Sequence, residues 1–363
     1  MNTQSITRWV GGAALAAATL LFLYVTLFDS FANGLPVVIA ALFMAIACSV
    51  LGVLRQGAYT LWILTAVTAS MYFPELFRQV GSFDLKQLIV PLLQAIMFGM
   101  GTAMSVKDFA GVVKTPQAVG IGLLCQLTIM PVIGFSLAYT FNFPPEIAAG
   151  VILVGCAPSG LASNVMAYIS KSNLALSVTL TAVATVLSPF TTPFLMKAFA
   201  GEYIEIDAWA MMWTITKIVI LPIIAGLVFN HFLHGRAQWL DKAMPLVSMA
   251  AIALIIVVIT AAGRDALLQI GLLLILAAFI HNVLGYMIGY GCARSLKMDE
   301  QSCRSIAFEV GMQNTGLASG IASEMGRVAT LGLAPSVFGP LMNITGSALA
   351  SWWKGKPPQH QTE

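Results

Sequence analysis

Residues 305–319 of this 363-residue chain read Ser-Ile-Ala-Phe-Glu-Val-Gly-Met-Gln-Asn-Thr-Gly-Leu-Ala-Ser and lie between two long apolar segments. The eight residues from Glu309 to Gly316 include one carboxylate, two carboxamides, one threonine and two glycines. Glycine weakens a helix, and unwound backbone in a membrane persists only where it is buried in protein or lines a cavity. An acid and several oxygen ligands beside such a break are typical of a cation site inside a membrane protein. The stretch therefore predicts a broken helix that binds a cation.

The composition places the whole chain in a membrane. Hydrophobic residues make up 58% of the sequence, charged residues only 9%, and the mean hydropathy is +0.87. A soluble domain of this length could not cover its surface with so few charges, so we expect a polytopic protein surrounded by the lipid bilayer. The net charge of +3 is too small to indicate a nucleic-acid partner. The five cysteines are scattered and show neither disulfide nor zinc spacing.

Twelve apolar runs, separated by short polar joints, predict twelve transmembrane helices. Two of them precede a set of ten, and no joint is long enough to hold a soluble domain. The sixth run is interrupted by Ala157-Pro158-Ser159-Gly160. The runs cover about residues 9–28, 35–54, 59–76, 88–104, 118–139, 147–170, 174–198, 208–229, 244–262, 267–290, 305–323 and 331–352.

The distribution of Lys and Arg predicts the orientation of the chain. Twelve of the 18 basic residues lie in joints on the same side as the N-terminus, five lie on the opposite side, and Lys217 lies within a run. Cytoplasmic joints of membrane proteins carry the excess of Lys and Arg. We therefore expect a multi-pass protein of the cell membrane with both termini in the cytoplasm.

A short internal repeat relates two of the runs. Ser159-Gly160-Leu161-Ala162-Ser163-Asn164 resembles Thr315-Gly316-Leu317-Ala318-Ser319-Gly320, at an offset of 156 residues. The copies lie in the sixth and eleventh runs, five helices apart, so they should cross the membrane in opposite directions. This arrangement predicts an inverted repeat of five helices plus five.

Both copies contain residues that interrupt helices. Pro158 removes a backbone donor and clashes with the preceding turn, and Gly160 weakens the first copy further. Gly311 and Gly316 are expected to do the same in the second copy. Freed carbonyls at such breaks can bind cations, while the N-termini of the following half-helices attract an anion. One such break would be explained better by a simple proline kink that eases packing, but two opposed breaks with matching sequence favour transport.

Three segments resemble the signature segments of the bile acid:sodium symporter family. They are Phe98-Gly99-Met100-Gly101, Gly155-Cys156-Ala157-Pro158-Ser159-Gly160-Leu161-Ala162-Ser163-Asn164-Val165-Met166 and Phe308-Glu309-Val310-Gly311-Met312-Gln313-Asn314. The resemblance extends over about residues 59–352. It implies an all-α fold of ten helices, in which two discontinuous helices cross at the centre, and sodium-driven import of an organic anion.

The resemblance also implies a division of the chain into a panel domain and a core domain. Residues 1–57 would form an extra N-terminal transmembrane hairpin, 58–353 the ten-helix unit and 354–363 a cytoplasmic tail. Within the unit, panel helices would cover about residues 58–105 and 208–262, and core helices about 116–200 and 267–353.

Carried over residue by residue, the resemblance implies two sodium sites that share one acid. The first would use Ser163, Asn164, Ser177, Thr181 and Glu309, and the second Gln126, Glu309 and Gln313 with the backbone carbonyls of Val310 and Met312. Sodium is a hard cation that prefers oxygen ligands of these kinds, as calcium and magnesium do. Two sodium ions that share one acid leave a local charge of +1, which a monovalent organic anion would complete. Sodium serves here as the coupling ion, and no cofactor is expected.

The cargo implied by the resemblance is an organic anion, either bile-acid-like or a small carboxylate such as a keto or hydroxy acid. Many relatives have two glycines and a threonine before Ala-Ser-Asn, whereas this chain has a serine at the first glycine and a leucine at the threonine. The leucine removes a hydroxyl from the entrance of the half-helix. The residues expected at the substrate are Ser159, Gly160, Leu161, Asn314, Thr315 and Asn343. The oligomeric state stays open.

Other interpretations of the buried polar residues remain open at this point. Glu309 could form a structural ion pair with Lys217 or Arg304, or it could bind the proton of a proton-coupled organic-acid carrier. His281 is expected to pack between helices first and to contact substrate second. An intramembrane protease is disfavoured, because only His281 could act as a base for a serine and no aspartate lies in the core of a run. A channel would need a continuous polar path, whereas the acids of this chain are concentrated at one crossing of broken helices. We therefore expect a transporter and no enzyme.

Overall fold

The computed structural model of the chain describes residues 3–26, 34–51, 58–105, 108, 110–233 and 238–356. Its α-helices are α1 Thr3–Tyr24, α2 Gly34–Val50, α3 Ala58–Tyr72, α4 Glu75–Arg78, α5 Ile89–Ala103, α6 Ala110–Lys114, α7 Pro116–Thr140, α8 Pro145–Cys156, α9 Leu161–Ile169, α10 Leu174–Ala200, α11 Ala208–Ile215, α12 Leu221–Leu233, α13 Gln238–Ala262, α14 Arg264–Ser295, α15 Glu300–Gly311, α16 Thr315–Glu324 and α17 Leu333–Lys354. A π-helical turn, Thr216–Ile220, joins α11 to α12, and a 3₁₀ turn, Leu85–Leu88, precedes α5. Two short antiparallel strands, β1 Gln79–Val80 and β2 Phe83–Asp84, form a hairpin.

The helices confirm the prediction of a multi-pass, all-α membrane protein. Each of the twelve predicted runs contains at least one helix. Within the described parts of the chain, six helical segments are long and apolar enough to cross a membrane, namely Leu85–Ala103, Pro116–Thr140, Leu174–Ala200, Ala208–Phe232, Ala243–Ala262 and Arg264–Ser295. Their outward faces carry side chains such as Phe190, Phe232 and Leu272, which are 56%, 74% and 82% exposed. Such faces suit lipid rather than water.

The described residues divide into two compact units. The first comes from Met1–Lys86 with Ile256–Arg264, and the second from Gln87–Ile255 with Asp265–Glu363. In the first unit, α1 packs on α2 and α2 packs on α3, and Trp62 Nε1 of α3 donates a 3.0 Å hydrogen bond to Ser49 Oγ of α2. In the second unit, α10 packs against α7, α8, α9 and α15, while α17 packs against α8, α9 and α16.

Helix boundaries differ from the predicted runs where polar or proline residues intervene. The third run was expected to continue to about residue 76, but α3 ends at Tyr72 because Pro74 cannot donate to the helix. The eleventh run was expected to begin at residue 305, whereas α15 begins at Glu300. The Asp299 side chain accepts a 2.9 Å hydrogen bond from Ser302 N and caps this helix. Hydropathy alone misses a first turn that is so polar.

Two glycines allow α5 and α12 to touch. A Cβ at Gly101 would lie 2.3 Å from the carbonyl oxygen of Ile223, and a Cβ at Gly226 would lie 2.3 Å from that of Phe98. No side chain fits at either position, because the two backbones are in direct contact. The signature segment that ends in Gly101 is therefore explained by close helix packing in the membrane.

Replacing Gly101 with Ala should lower the thermal unfolding midpoint of the detergent-purified protein. The added methyl group would separate α5 from α12, a strain that costs about 1–3 kcal/mol in packed interiors. Gly120→Ala is a matched control, since nothing lies within 4 Å of a Cβ at that position of α7. The control should leave the midpoint unchanged or raise it slightly, because Ala favours a helix over Gly by about 0.5–1 kcal/mol. Equal midpoints for the two variants would contradict the contact.

Candidate functional site

Two helices of the second unit are interrupted near their middles. The first pair of half-helices is α8 and α9, with 12 and 9 residues, separated by residues 157–160. The second pair is α15 and α16, with 12 and 10 residues, separated by residues 312–314. At 1.5 Å per residue each half is about 14–18 Å long, which is near half of the hydrocarbon thickness of a bilayer. Both predicted breaks are therefore present.

The two breaks are hydrogen-bonded to each other. Gly160 N donates to Met312 O at 3.1 Å, and Asn314 N donates to Pro158 O at 2.7 Å. Each unwound segment thus satisfies backbone groups of the other. This mutual pairing explains how irregular backbone can persist away from water.

A proline and a glycine set the ends of the first half-helix of each pair, α8 and α15. α8 ends at Cys156, two residues before Pro158, as expected for a helix that runs into proline. α15 ends at Gly311, where a Cβ would lie 2.2 Å from the ring of Tyr286, so this glycine also admits α14.

Gly316 does not contribute to the second break, so that part of the prediction is wrong. It lies inside α16, which begins at Thr315. The helix restarts early because Asn314 Oδ1 accepts a 2.9 Å hydrogen bond from Leu317 N, a strong N-cap.

Glu309, in the last turn of α15, is completely buried beside the two breaks. Four hydroxyl groups donate to its carboxylate. Ser163 and Ser177 donate to Oε1 at 2.6 and 2.5 Å, and Ser159 and Thr181 donate to Oε2 at 2.6 and 2.9 Å. These hydroxyls come from the first break, α9 and α10, so three segments converge on one acid.

Oxygen atoms outnumber hydroxyl hydrogens in this cluster. Ser177 and Thr181 also contact Asn164 Oδ1 at 2.8 and 3.2 Å, and Ser163 also contacts the carbonyl of Gly160 at 2.7 Å. Each of these three hydroxyls therefore faces two acceptors but has one hydrogen to donate. The four hydroxyls make seven such contacts with four hydrogens. A cluster so rich in oxygen lone pairs is suited to an added cation.

An ion pair does not explain the burial of Glu309, so the interpretation of this residue as a structural partner of Arg304 or Lys217 is wrong. Arg304 Nε contacts Glu300 at 2.7 Å, and its guanidinium lies 5.3 Å from the ring centre of Trp353. Lys217 is exposed in the π-helical turn. Across the ranges that the structure describes, Glu309 forms no ion pair. The polar groups that contact its carboxylate are the hydroxyls of Ser159, Ser163, Ser177 and Thr181.

A second group of buried polar side chains contains amide atoms without hydrogen-bond partners among the described residues. Gln126 of α7 is 1% exposed, and neither its Nε2 nor its Oε1 has a hydrogen-bond partner. Gln313, in the second break, donates from Nε2 to Val310 O at 2.6 Å, and its Oε1 is buried without a partner. Met312 O already accepts the bond from Gly160. Buried amide oxygens without donors are costly, and a hard cation would satisfy them.

The residues expected at the substrate are placed differently from one another. Gly160, Asn314 and Thr315 lie at the starts of α9 and α16, and Leu161 is 38% exposed at the first position of α9. Asn343 is half-buried within α17.

Ser159 was also expected at the substrate, but its side chain is completely buried and donates to Glu309 Oε2. The structure therefore places Ser159 in the carboxylate cluster, a position that the sequence did not reveal.

Two adjacent polar residues of α14 are buried as well. His281 and Asn282 are completely buried, and both ring nitrogens of His281 lack a hydrogen-bond partner. The His281 ring lies 5.2 Å from that of Phe338, as expected for a histidine that packs between helices. Asn282 Nδ2 donates to Thr345 Oγ1 at 3.3 Å. In the sequence, both residues could be recognised as candidates by their position in an otherwise apolar run.

Comparison with known proteins identifies the family. The profile of the sodium bile acid symporter family matches residues 90–270. An "uncharacterized sodium-dependent transporter", YocS of Bacillus subtilis, is 40% identical over 304 residues, which cover 84% of this chain and 92% of that protein. The human ileal sodium/bile acid cotransporter is 32% identical over 286 residues, 74% of this chain and 80% of that protein.

A plant relative is also similar over most of the chain. The probable sodium/metabolite cotransporter BASS1, chloroplastic, of Arabidopsis thaliana is 31% identical over 302 residues, 83% of this chain and 74% of that protein. These matches confirm the predicted family and the prediction that the chain is a transporter and not an enzyme. The chain belongs to the sodium bile acid symporter family.

Proposed function

We propose that this protein imports an organic anion together with sodium ions by alternating access. The observation that carries the proposal is the cluster around Glu309, where a fully buried carboxylate and four hydroxyls offer more oxygen lone pairs than hydrogens. The names of the relatives, a sodium-dependent transporter and sodium cotransporters, support sodium as the ion. The proposed fold is the ten-helix inverted repeat, five plus five, with the two discontinuous helices at its centre.

The first sodium ion would bind between Glu309 and the residues of α9 and α10. Ser163, Ser177 and Thr181 would rotate their hydrogens towards Gly160 O or other acceptors and turn lone pairs to the ion. Asn164 Oδ1, which lies within 3.2 Å of two of these hydroxyls, would complete the oxygen set. The carboxylate supplies the negative charge that offsets the charge of the ion.

The second sodium ion would bind between Gln126, Gln313 and Glu309, with the carbonyls of Val310 and Met312. The unpartnered Oε1 atoms of the two glutamines support this site. Two sodium ions and one carboxylate leave a local charge of +1. Import of two sodium ions with a monovalent anion moves one net charge inward, which a membrane potential drives by about 2.3 kcal/mol per 100 mV.

The substrate anion would bind where α9 and α16 begin. The N-termini of both half-helices lie at the hydrogen-bonded breaks, so their dipoles favour a negative group there. Gly160, Leu161, Asn314 and Thr315 stay in the proposal as substrate residues, together with Asn343 of α17. The proposed cargo is a bile-acid-like anion or a small carboxylate.

The remaining predictions about organisation belong to the same proposal. Residues 1–57 would form the extra hairpin, 58–353 the transport unit and 354–363 the cytoplasmic tail. Panel helices would cover about 58–105 and 208–262, and core helices about 116–200 and 267–353. Both termini would lie in the cytoplasm, as the distribution of Lys and Arg favours.

A proton-coupled carrier is the second candidate, because a buried Glu can bind a proton. A proton on Glu309 would add only one hydrogen to a cluster that has three more acceptor contacts than hydrogens. Sodium corrects this imbalance better, since one ion binds several oxygens at once.

Uptake into proteoliposomes distinguishes the two candidates. Vesicles that contain the purified protein should accumulate a labelled bile salt or keto acid under an inward sodium gradient, and a pH gradient without sodium should produce no accumulation. A positive-inside potential should slow the sodium-driven uptake. Uptake that follows the pH gradient and ignores sodium would refute the proposal.

A further inference from the structure

The first unit contains an apolar cavity of about 360 Å³ among α1, α2 and α3. Ala18 and Phe22 of α1, Val37 and Ala41 of α2, and Leu61 of α3 are among the residues that line it. The sodium bile acid symporter profile begins at residue 90, so the whole lining lies outside the part of the chain that it matches. The cavity is half open to its surroundings, so a molecule beside these helices can enter it.

The three threonines that line the cavity have no hydrogen left to offer. Thr19 Oγ1 donates to Leu15 O at 2.9 Å, Thr65 Oγ1 to Leu61 O at 2.8 Å, and Thr68 Oγ1 to Leu64 O at 2.8 Å. Each hydroxyl is therefore engaged within its own helix. A buried water needs two to four polar partners, and apolar cavities without them stay dry. The chemistry of the lining excludes a polar ligand and disfavours water.

The surroundings of the cavity indicate where an apolar occupant would come from. Leu20, Phe22, Leu23 and Leu64, on or beside the lining, are 67%, 55%, 47% and 41% exposed, as expected for side chains that face lipid. Lining atoms that face an empty space lose their dispersion contacts on that side. The hydrocarbon chains of the bilayer are apolar, flexible and present in large excess beside such a surface.

We propose that this cavity binds one acyl chain of a bilayer phospholipid. The acyl chain would lie between α1, α2 and α3. It would supply dispersion contacts to lining atoms that otherwise face the cavity. The extra hairpin then has a defined role, since it forms two walls of a lipid site on α3. This inference stands independently of the ion and the cargo that the protein transports.

The test compares lipid retention by three forms of the full-length protein. Ala41→Phe should fill the cavity from α2, whereas Ala16→Phe is a matched control because Ala16 is exposed on α1 and does not line the cavity. Each form is purified in mild detergent and examined by native mass spectrometry after addition of dioleoyl phosphatidylglycerol. The wild type and Ala16→Phe should retain one phospholipid, and Ala41→Phe should retain about fivefold less or none.

A second variant and a second readout guard against misfolding. Ala18→Leu fills the same cavity from α1, and the thermal midpoint of each form is measured with and without the phospholipid. Lipid should raise the midpoint of the wild type and of Ala16→Phe, and it should have little effect on either cavity-filling variant. Equal lipid retention and equal midpoint gains in all forms would overturn the proposal. The proposal would also be overturned if the component that Ala41→Phe displaces were a free fatty acid or a second copy of the protein.

Discussion

Glu309→Gln is expected to abolish sodium-coupled uptake while the protein stays folded. The substitution removes the buried negative charge that would neutralise the bound sodium. It also replaces one carboxylate oxygen by an NH₂ group, which cannot accept the two hydroxyl hydrogens that this oxygen now receives. We expect uptake under a sodium gradient to fall by at least about 100-fold, since breaking a buried charged contact costs about 3–5 kcal/mol.

Sodium binding can be measured separately from transport. The thermal midpoint of the wild type should rise with sodium concentration, because a ligand that binds only the folded protein stabilises it by mass action. The midpoint of Glu309→Gln should not respond to sodium. Its sodium-free midpoint should be similar to that of the wild type, because the substitution also removes the cost of burying a charge.

Glu324→Gln is the matched control for this prediction. Glu324 is the last residue of α16 and is exposed. It lies in the same discontinuous helix as Glu309 but outside the cluster. The control should retain wild-type uptake and the wild-type response to sodium. Persistent sodium dependence in Glu309→Gln would show that the ion binds elsewhere.

Much of the fold could be predicted from the sequence because lipid imposes a simple rule on it. A spanning helix must be apolar on its outer face, and each of the twelve apolar runs contains at least one helix in the structure. The rule fails where a helix starts in polar sequence, as α15 does at Glu300, since the capping bond from Ser302 N to Asp299 is not visible in hydropathy. It also gives no information on polar joints, so α6 and the hairpin of β1 and β2 were not predicted.

The candidate site could be predicted in kind but not in geometry. An acid, two amides and glycines in one apolar run indicated a cation site near Glu309. The direction of a single hydroxyl cannot be predicted from spacing, so the hydrogen bond from Ser159, a residue expected at the substrate, to the Glu309 carboxylate was not foreseen. The prediction that Gly316 interrupts the helix was wrong for a related reason, because the side chain of Asn314 caps a helix that begins before Gly316. Local bonds between a side chain and the backbone decide such details, and spacing alone does not contain them.

Gln126→Leu is expected to change stability and sodium response in opposite directions. Gln126 is buried in α7, and neither amide atom has a hydrogen-bond partner among the described residues. A buried amide that stays unpaired costs its full desolvation free energy. Leucine has a similar volume and no polar atoms. The sodium-free variant should therefore be more stable than the wild type, by about 1–3 kcal/mol if both amide atoms are relieved.

The same substitution removes a ligand of the proposed second sodium site. We expect the concentration of sodium that gives half-maximal uptake to rise about tenfold or more. Uptake by the wild type should depend sigmoidally on sodium because two ions bind, and this sigmoidal shape should be lost in the variant. The gain in thermal midpoint on addition of sodium should shrink but not vanish, because the cluster around Glu309 still binds one ion. This partial loss distinguishes Gln126→Leu from Glu309→Gln, which removes the acid that both ions share.

Gln117→Leu is the control that isolates the buried amide. Gln117 lies in the first turn of the same helix and is exposed, so its amide can reach water or lipid headgroups. The control should change neither the sodium-free midpoint nor the sodium dependence of uptake. If Gln126→Leu instead lowers the sodium-free midpoint and leaves the sodium response intact, then Gln126 has a permanent partner such as a buried water. A second sodium ion would in that case have to bind without this amide, and the net charge moved in each cycle would have to be measured rather than inferred from one acid shared by two ions.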